Sequence, residues 1–359
     1  MSSKKKKSLL ARILLSILAV FIALILVVVG YFVYVFATYY RLEDNIALDV
    51  ENKVTAVCDA DGEYTIVSWN MGFGAYSDDY SFFMDGGKYS RAFSKQAATD
   101  NMTAMASRVA ELDPDFAIIQ EVDIGSTRSY QLDERVFLTE KLTGYTYDFA
   151  QNFDSPYLFY PIFCPHGKAR SGIMTFSKYN VESALRRSFP IETGVTKLVD
   201  LDRCYSVSRI PLSNGRTLCL YNMHLSAYTS DGTIATEQLK MIIADMESEY
   251  KAGNYIVCGG DFNKDLLGNS DEIFGIPFGD VTWAQPIPEG TIPEWLTLVA
   301  DSNAPSCRNA DRPYDETDIV LTVDGFLVSA NVEVTYSAVV DEQFAHSDHN
   351  PVMMKFKLK

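Results

Sequence analysis

Short apolar runs that end abruptly in polar side chains recur along this chain. Thr65-Ile66-Val67-Ser68-Trp69 runs into Asn70, Phe116-Ala117-Ile118-Ile119 into Gln120-Glu121, and Leu218-Cys219-Leu220-Tyr221 into Asn222-Met223-His224. Tyr255-Ile256-Val257-Cys258 runs into Gly259-Gly260-Asp261-Phe262-Asn263. Runs of this length, rich in β-branched and aromatic residues, predict buried strands. Near the C-terminus Asp324 opens Phe326-Leu327-Val328, and Ser347-Asp348-His349-Asn350 precedes the alternating Val352, Met354, Phe356 and Leu358. If these strands are neighbours, their polar ends converge on one rim, where sheet enzymes assemble their sites.

Helical periodicity separates some of the strands. Asp100 to Leu112 sets Met102, Met105, Val109 and Leu112 on one face and is stopped by Asp113-Pro114. Thr236 to Tyr250 does the same with Leu239, Ile242, Ile243 and Met246, and is stopped by Gly253-Asn254. Each helix feeds a strand. Elsewhere short strands follow one another, as in Gly172 to Phe176 and Tyr205 to Ile210. This mixture predicts an α/β sandwich of sheets with outer helices rather than a doubly wound sheet.

The N-terminus is patterned differently. Lys4 to Lys7 and Arg12 flank an uncharged apolar stretch from Ile13 to Ala37, longer than the roughly 20 residues that span a bilayer. A cleavable secretory signal has an apolar stretch of about 7 to 15 residues ending at small side chains. This one instead runs into Tyr31, Phe32, Tyr34, Phe36, Tyr39 and Tyr40, in the manner of an interfacial aromatic belt. The organisation expected is a basic cytoplasmic tail at 1–12, a transmembrane helix at 13–37, a stalk at 38–62 and one domain at 63–359. The domain is expected outside the cytoplasm on a single-pass anchor in the cell membrane.

Charge narrows the partners. Of 31 Lys and Arg against 47 Asp and Glu, five bases lie in the first twelve residues, where there is no acid, so the remainder has 26 bases against 47 acids and a formal charge of −21. Such a balance opposes long polyanions at a distance and still permits a local cation-assisted site. The six cysteines form no CxxC pair and no metal-ligand spacing. Cys219 and Cys258, inside apolar runs, are expected in the core, and no disulfide pairing is indicated for the others. No protein partner is indicated either.

Taken in order, Trp69-Asn70, Gln120-Glu121-Val122, Asn222-Met223-His224-Leu225, Gly260-Asp261-Phe262-Asn263, Asp324 and Ser347-Asp348-His349 resemble the endonuclease/exonuclease/phosphatase superfamily. The resemblance covers residues 63 to 359. It implies a four-layer α/β sandwich of two mixed β-sheets flanked by helices, cleaving phosphoester bonds with a divalent cation, Mg²⁺ foremost and Mn²⁺ or Ca²⁺ as alternatives. It also implies roles. Glu121 would be the principal metal ligand, with Asn70 and Asp348 completing or supporting that site; Asp261 would orient or activate the attacking water; and Asn263 would hold a phosphate oxygen or the Asp261 carboxylate. His349 would sit over the phosphate with Asp324 on its far nitrogen, and His224 would approach from the opposite side.

These residue types suit the chemistry. Phosphoester cleavage needs neutralised non-bridging oxygens, an aimed and deprotonated water, and a stabilised leaving oxygen. A hard cation prefers carboxylate oxygen and keeps several waters, so few protein ligands suffice. Asp318 competes with Asp324 for the histidine-pairing role; Asp324 is preferred for the strand it opens. His166 and His346 are expected at the surface, and Arg170 and Arg308 in solvated loops, with phosphate contact as their alternative. The function expected is a membrane-anchored phosphoesterase acting on DNA, a phospholipid head group or a small phosphorylated molecule. The alternative is a catalytically silent, surface-exposed binding domain on the same fold.

Overall fold

The computed structural model describes residues 9–191, 202–227, 232–279 and 283–359, and the chain divides into two units, 1–40 and 41–359. The first contains the helix α1 (Leu9–Thr38), long and apolar enough to cross a membrane. Its uninterrupted apolar run, without charge after Arg12, leaves no stripe to face a soluble core.

In the second unit the apolar runs pair into two large sheets. One has the order β1 (Ile46–Leu48), β6 (Ser183–Ser188), β7 (Cys204–Pro211), β8 (Thr217–His224), β9 (Tyr255–Asp261), β13 (Asp324–Ser329), β10 (Leu296–Val299). The other has the order β14 (Val332–Val339), β15 (Val352–Leu358), β2 (Glu63–Asn70), β3 (Phe116–Asp123), β5 (Arg170–Ser177), β4 (Thr146–Asp154). A two-stranded piece pairs β11 (Cys307–Arg308) with β12 (Val320–Leu321). Both large sheets are mixed. β2 and β3 run parallel, joined through the helix α2 (Lys95–Leu112), and β8 and β9 run parallel with a second long helix, Thr233–Lys251, between them. Parallel neighbours need such a crossover, whereas the antiparallel neighbours are joined either by a short turn, as β7 to β8, or by a long connection, as β9 to β13.

The two sheets bury their inner faces against each other. Ile66, Ile118, Met354 and Phe356 of one meet Leu218, Leu220, Val257 and Phe326 of the other. On the outside, Met102, Met105 and Val109 of α2 cover Trp69, Ala117 and Ile119, while Leu239, Ile242 and Met246 of the second long helix cover Tyr221, Met223 and Ile256. The result is helix, sheet, sheet, helix. Each fully buried aliphatic side chain contributes about 1.5–3 kcal/mol. The ends of α2 are set locally: Ser94 Oγ accepts the Ala97 N–H at 3.0 Å, and Asp113 adopts a left-handed conformation ahead of Pro114.

The stretch expected as a stalk is instead part of this body from Arg41 onward. β1 pairs with β6, Glu51 exchanges backbone hydrogen bonds with Tyr147, and Cys58 is buried and bridged to Leu212. A three-residue edge strand between polar loops is too short to show a period, and its partners are remote in sequence. The cysteines are all free thiols; Cys164 is exposed and the other five are buried.

Candidate active site

Strand register brings three chemical groups side by side. His224 at the end of β8 lies opposite Asp261 at the end of β9, and Asp261 lies opposite Asp324 at the start of β13. Gly260 makes the first pairing achievable. Its φ is +135°, and a Cβ there would fall 1.9 Å from the Met223 carbonyl oxygen, so only glycine lets β8 and β9 close here. Asn263, with φ +47°, turns the chain back so that its backbone N–H donates to Asp261 Oδ1 at 2.8 Å. Its side-chain amide donates to the Leu225 carbonyl at 2.7 Å. Asn263 thus secures Asp261 through its backbone.

His349 completes the group. Trp69 Nε1–H donates to the His349 carbonyl at 2.8 Å, and His349 Nδ1 lies 2.7 Å from Asp324 Oδ2. Ser306 Oγ donates to the same Asp324 oxygen at 2.8 Å and accepts the Val323 and Asp324 N–H groups at 3.0 Å. His349 Nε2 is then 3.8 Å from Asp261 Oδ2 and 3.6 Å from Cys307 Sγ. Asp261, Asp324 and His349 form a buried cluster with one polar atom of each within 4.8 Å of the others.

The two histidines of the site carry opposite electrostatic settings. Burial works against the His349 imidazolium, but the Asp324 carboxylate above all, with Cys307 and Asp348, outweighs it and holds the pKa well above the ordinary value. Burial, with the charges of Arg203, His349 and Arg128, holds His224 well below. The charged form is favoured at His349 and the neutral form at His224. His224 Nε2 stands 3.3 Å from Asp261 Oδ2, and its Nδ1 is buried without a hydrogen-bond partner among the described residues. Burial raises the Asp261 carboxyl above its ordinary range, with the His349 charge opposing and the Asp324 charge adding. The Cys307 thiol is pushed up to about 12 by burial, so it is no thiolate nucleophile.

Beside this cluster lie Glu121 and Asp348, both half-buried. A bulge in β3 between Ile119 and Val122 gives Glu121 a φ of +56°, which breaks the strict alternation of the strand at this residue. Asn70 Nδ2 donates to Asp261 Oδ2 at 3.0 Å and lies 3.3 Å from Glu121 Oε1, while Asn70 Oδ1 accepts the Gly72 N–H at 3.0 Å. Asn70, expected to complete or support the metal site, thus faces the backbone with its oxygen and links two carboxylates with its nitrogen.

The donor set fits a hard cation. The Asp348 carboxyl is raised by burial, with the His349 charge opposing and the negative charge of Glu121 adding. Among the described residues neither Glu121 nor Asp348 forms an ion pair with Lys or Arg. Two neighbouring carboxylates that repel each other and retain partial access to solvent are suited to a hard divalent cation that keeps part of its own water.

Several expectations fail locally. His166 is buried, with Nδ1 3.0 Å from the Ser90 carbonyl, and burial lowers its pKa to about 4. Arg308 is also buried and donates to the carbonyls of Ser77, Tyr80, Asn309 and Arg312, bracing loops rather than awaiting phosphate. His346 is half-buried, its Nδ1 3.1 Å from Asn101 Oδ1, whereas Arg170 is exposed as expected. Asp318 lies outside the cluster and near Arg312, so Asp324 is the histidine's partner. Ser306 escaped notice, since a lone serine in a loop carries no signal. Gln120 and Asn222 had no assigned role; Gln120 Nε2 donates to Asn222 Oδ1 at 2.8 Å and so ties the two sheets together.

Residues 67–349 match the Endonuclease/Exonuclease/phosphatase family. The chain belongs to this family. Family members include metal-dependent phosphoesterases, among them nucleases and phosphatases. No curated protein matches the sequence. The fold is that of an endonuclease/exonuclease/phosphatase from Beutenbergia cavernae, at 18% identity over 82% of this chain and 72% of that one, with a TM-score of 0.57. It is shared by ANGEL2, a 2′,3′-cyclic phosphatase, in complex with adenosine-2′,3′-vanadate, at 18% identity over 88% and 99% with a TM-score of 0.54. Humanized D. rerio TDP2 matches at 13% identity over 82% and 99%, with a TM-score of 0.53.

Proposed function

We propose that this protein is a membrane-anchored, divalent-metal-dependent phosphoesterase that hydrolyses its substrate by direct attack of water. The observation that carries the reading is the convergence of Asp261, His224 and the Asp324–His349 pair beside Glu121 and Asp348. Glu121 and Asp348 would hold the cation. When bound, a divalent cation neutralises non-bridging phosphate oxygens and stabilises the leaving oxygen.

The rest follows from the protein's own groups. His349 is charged and fixed by Asp324, so it acts as a donor to a phosphate oxygen rather than as a base. Asp261 is held from two sides by Asn263 N–H and Asn70 Nδ2, and its raised pKa makes it the group that accepts the proton of the attacking water. Neutral His224 offers the second hydrogen bond to the phosphate, and Asn70 keeps Asp261 and Glu121 in fixed relation. A silent binding domain would need none of these groups together. DNA, a phospholipid head group and a small phosphorylated molecule remain the substrate classes; α1 supports anchorage, and Lys4 to Lys7 ahead of it support a body outside the cytoplasm.

Hydrolysis of bis(p-nitrophenyl) phosphate by the full chain with Mg²⁺ tests the reading. Turnover is expected, abolished by EDTA and by His349→Ala. No turnover with any divalent metal, on diester or monoester, would overturn it.

A further inference from the structure

The rim that carries the site also carries two features the chemistry does not use. The first is where the chain joins the body. Arg41 donates to the Phe189 carbonyl, and Asp44 Oδ1 accepts the Ser188 N–H at 2.8 Å. Ser188 lies opposite Cys204 at the start of β7, and Tyr205 lies opposite Met223, next to His224. The join is therefore at the catalytic end of the seven-stranded sheet.

The second feature is the long connection between β4 and β5. Asp154 pairs with Arg170, and Ser171 pairs with Asp123 just beyond Glu121, so residues 155–169 project from the catalytic end of the other sheet. The base of this projection is firmly held. Leu158 and Gly167 exchange backbone bonds at 3.0 Å, Ser155 N–H donates to Ala169 O at 2.9 Å, and Arg91 Nε–H donates to Pro165 O at 2.6 Å. Its tip is apolar and turned to solvent: Tyr160 is 68%, Ile162 66% and Phe163 102% exposed. The Phe83 ring lies 5.8 Å from Tyr160, and Met84 beside it is exposed as well, which extends the patch.

An ordered frame that displays aromatic and branched aliphatic side chains is costly in water without a surface to receive them. We propose that the tip of residues 159–163 inserts into the lipid bilayer carrying α1, seating the catalytic rim against the membrane. This rests on the anchored reading of α1 given above. Only Tyr39 and Tyr40 separate Thr38 from Arg41, a tether of about 10 Å at full extension. The tether meets the body at the rim that bears the tip. Tyrosine, phenylalanine and isoleucine are side chains that the interfacial region accepts. The body's formal charge of −21 disfavours a polyanionic surface as the occupant. Docking in this way points the mouth at phosphoesters held in the bilayer, which narrows the substrate to lipid head groups.

The test uses the full chain in phosphatidylcholine vesicles, with and without brominated acyl chains that quench indole emission. Flotation of the wild-type chain with the vesicles reports the anchor separately; a chain left behind would overturn the anchored reading and this one with it. Phe163→Trp is compared with Val57→Trp, an exposed position next to Cys58, which bridges Leu212 at the opposite end of β7. After subtraction of the wild-type signal, blue-shifted and several-fold stronger quenching is expected for Phe163→Trp. Equal quenching at both positions, or water-exposed emission from Phe163→Trp, would overturn the docking. Tyr160→Trp should likewise be quenched and should lose that quenching when Ile162→Asp and Phe163→Asp are added; persistence would also count against it.

Discussion

Asp324 Oδ2 lies 2.7 Å from His349 Nδ1 while also accepting the Ser306 hydroxyl at 2.8 Å. The carboxylate is thereby fixed on one side and free to hold the imidazolium on the other. Removing its charge should expose what it does for His349. With Asp324→Asn, kcat is expected to fall about 10²–10⁴-fold. The raised pKa of His349 means that its charged form is lost as pH rises through that pKa. The alkaline limb of the pH–kcat profile should accordingly move to lower pH. An unmoved limb would remove His349 as the group that must stay charged.

Glu121 and Asp348 should reveal a cation through its concentration dependence. Glu121→Gln and Asp348→Asn are each expected to raise the Mg²⁺ concentration needed for half-maximal activity by about tenfold or more. Mg²⁺ should also stabilise the wild type, by about 2.7 kcal/mol at a hundred times its dissociation constant, as a rise in Tm that EDTA reverses. A Tm independent of Mg²⁺ in the wild type would remove the cation site, and an unchanged Mg²⁺ dependence in both variants would place it elsewhere.

Gly260 should be less replaceable than its neighbour. A Cβ at Gly260 would meet the Met223 backbone at 1.9 Å, whereas one at Gly259 would meet the Phe326 and Ile118 side chains at 2.5 and 2.8 Å. Rings and methyl groups can move; a strand in register cannot. Gly260→Ala is expected to cost about 3 kcal/mol or more and Gly259→Ala less, as measured by urea denaturation. The reverse order would contradict the pairing described here.

Asp148 supplies a stability switch away from the site. Its carboxyl is buried, with one oxygen accepting Ser208 Oγ at 2.6 Å and the other without a partner among the described residues, and burial raises its pKa to about 7. A carboxyl whose pKa is higher in the folded than in the unfolded chain stabilises most at low pH, when protonated in both states. That contribution is lost as pH rises from about 4 to about 7. Asp148→Asn should flatten this part of the stability–pH curve, by about 2–4 kcal/mol over the window. A curve of unchanged slope would show that Asp148 ionises in the fold without cost.

The architecture was readable because β2, β3, β8, β9 and β13 are buried on both faces, so their apolar runs are continuous and their polar ends stand out. Asp261, Asp324, His224 and His349 were readable for the same reason, each being at or next to a strand end. What escaped detection depended on partners far away in sequence. β1 exists because β6 offers it an edge, Arg308 is buried because four carbonyls converge on it, and His166 is covered by packing near Phe82 and Phe83. The orientation of the Asn70 amide is likewise set by its neighbours: two carboxylates call for its nitrogen. No local pattern encodes such choices.

The Gln120–Asn222 bond joins the six-stranded sheet to the seven-stranded one immediately behind the site. Glu121 and Asn70 come from the first of these sheets, Asp261, Asp324 and His224 from the second. Neither half alone holds enough of the constellation to act. During refolding, turnover should therefore return only with the docking of one sheet on the other, and a chain with all its secondary structure but separated sheets would be inert. The enzyme's activity is in this sense an assay of its own tertiary closure.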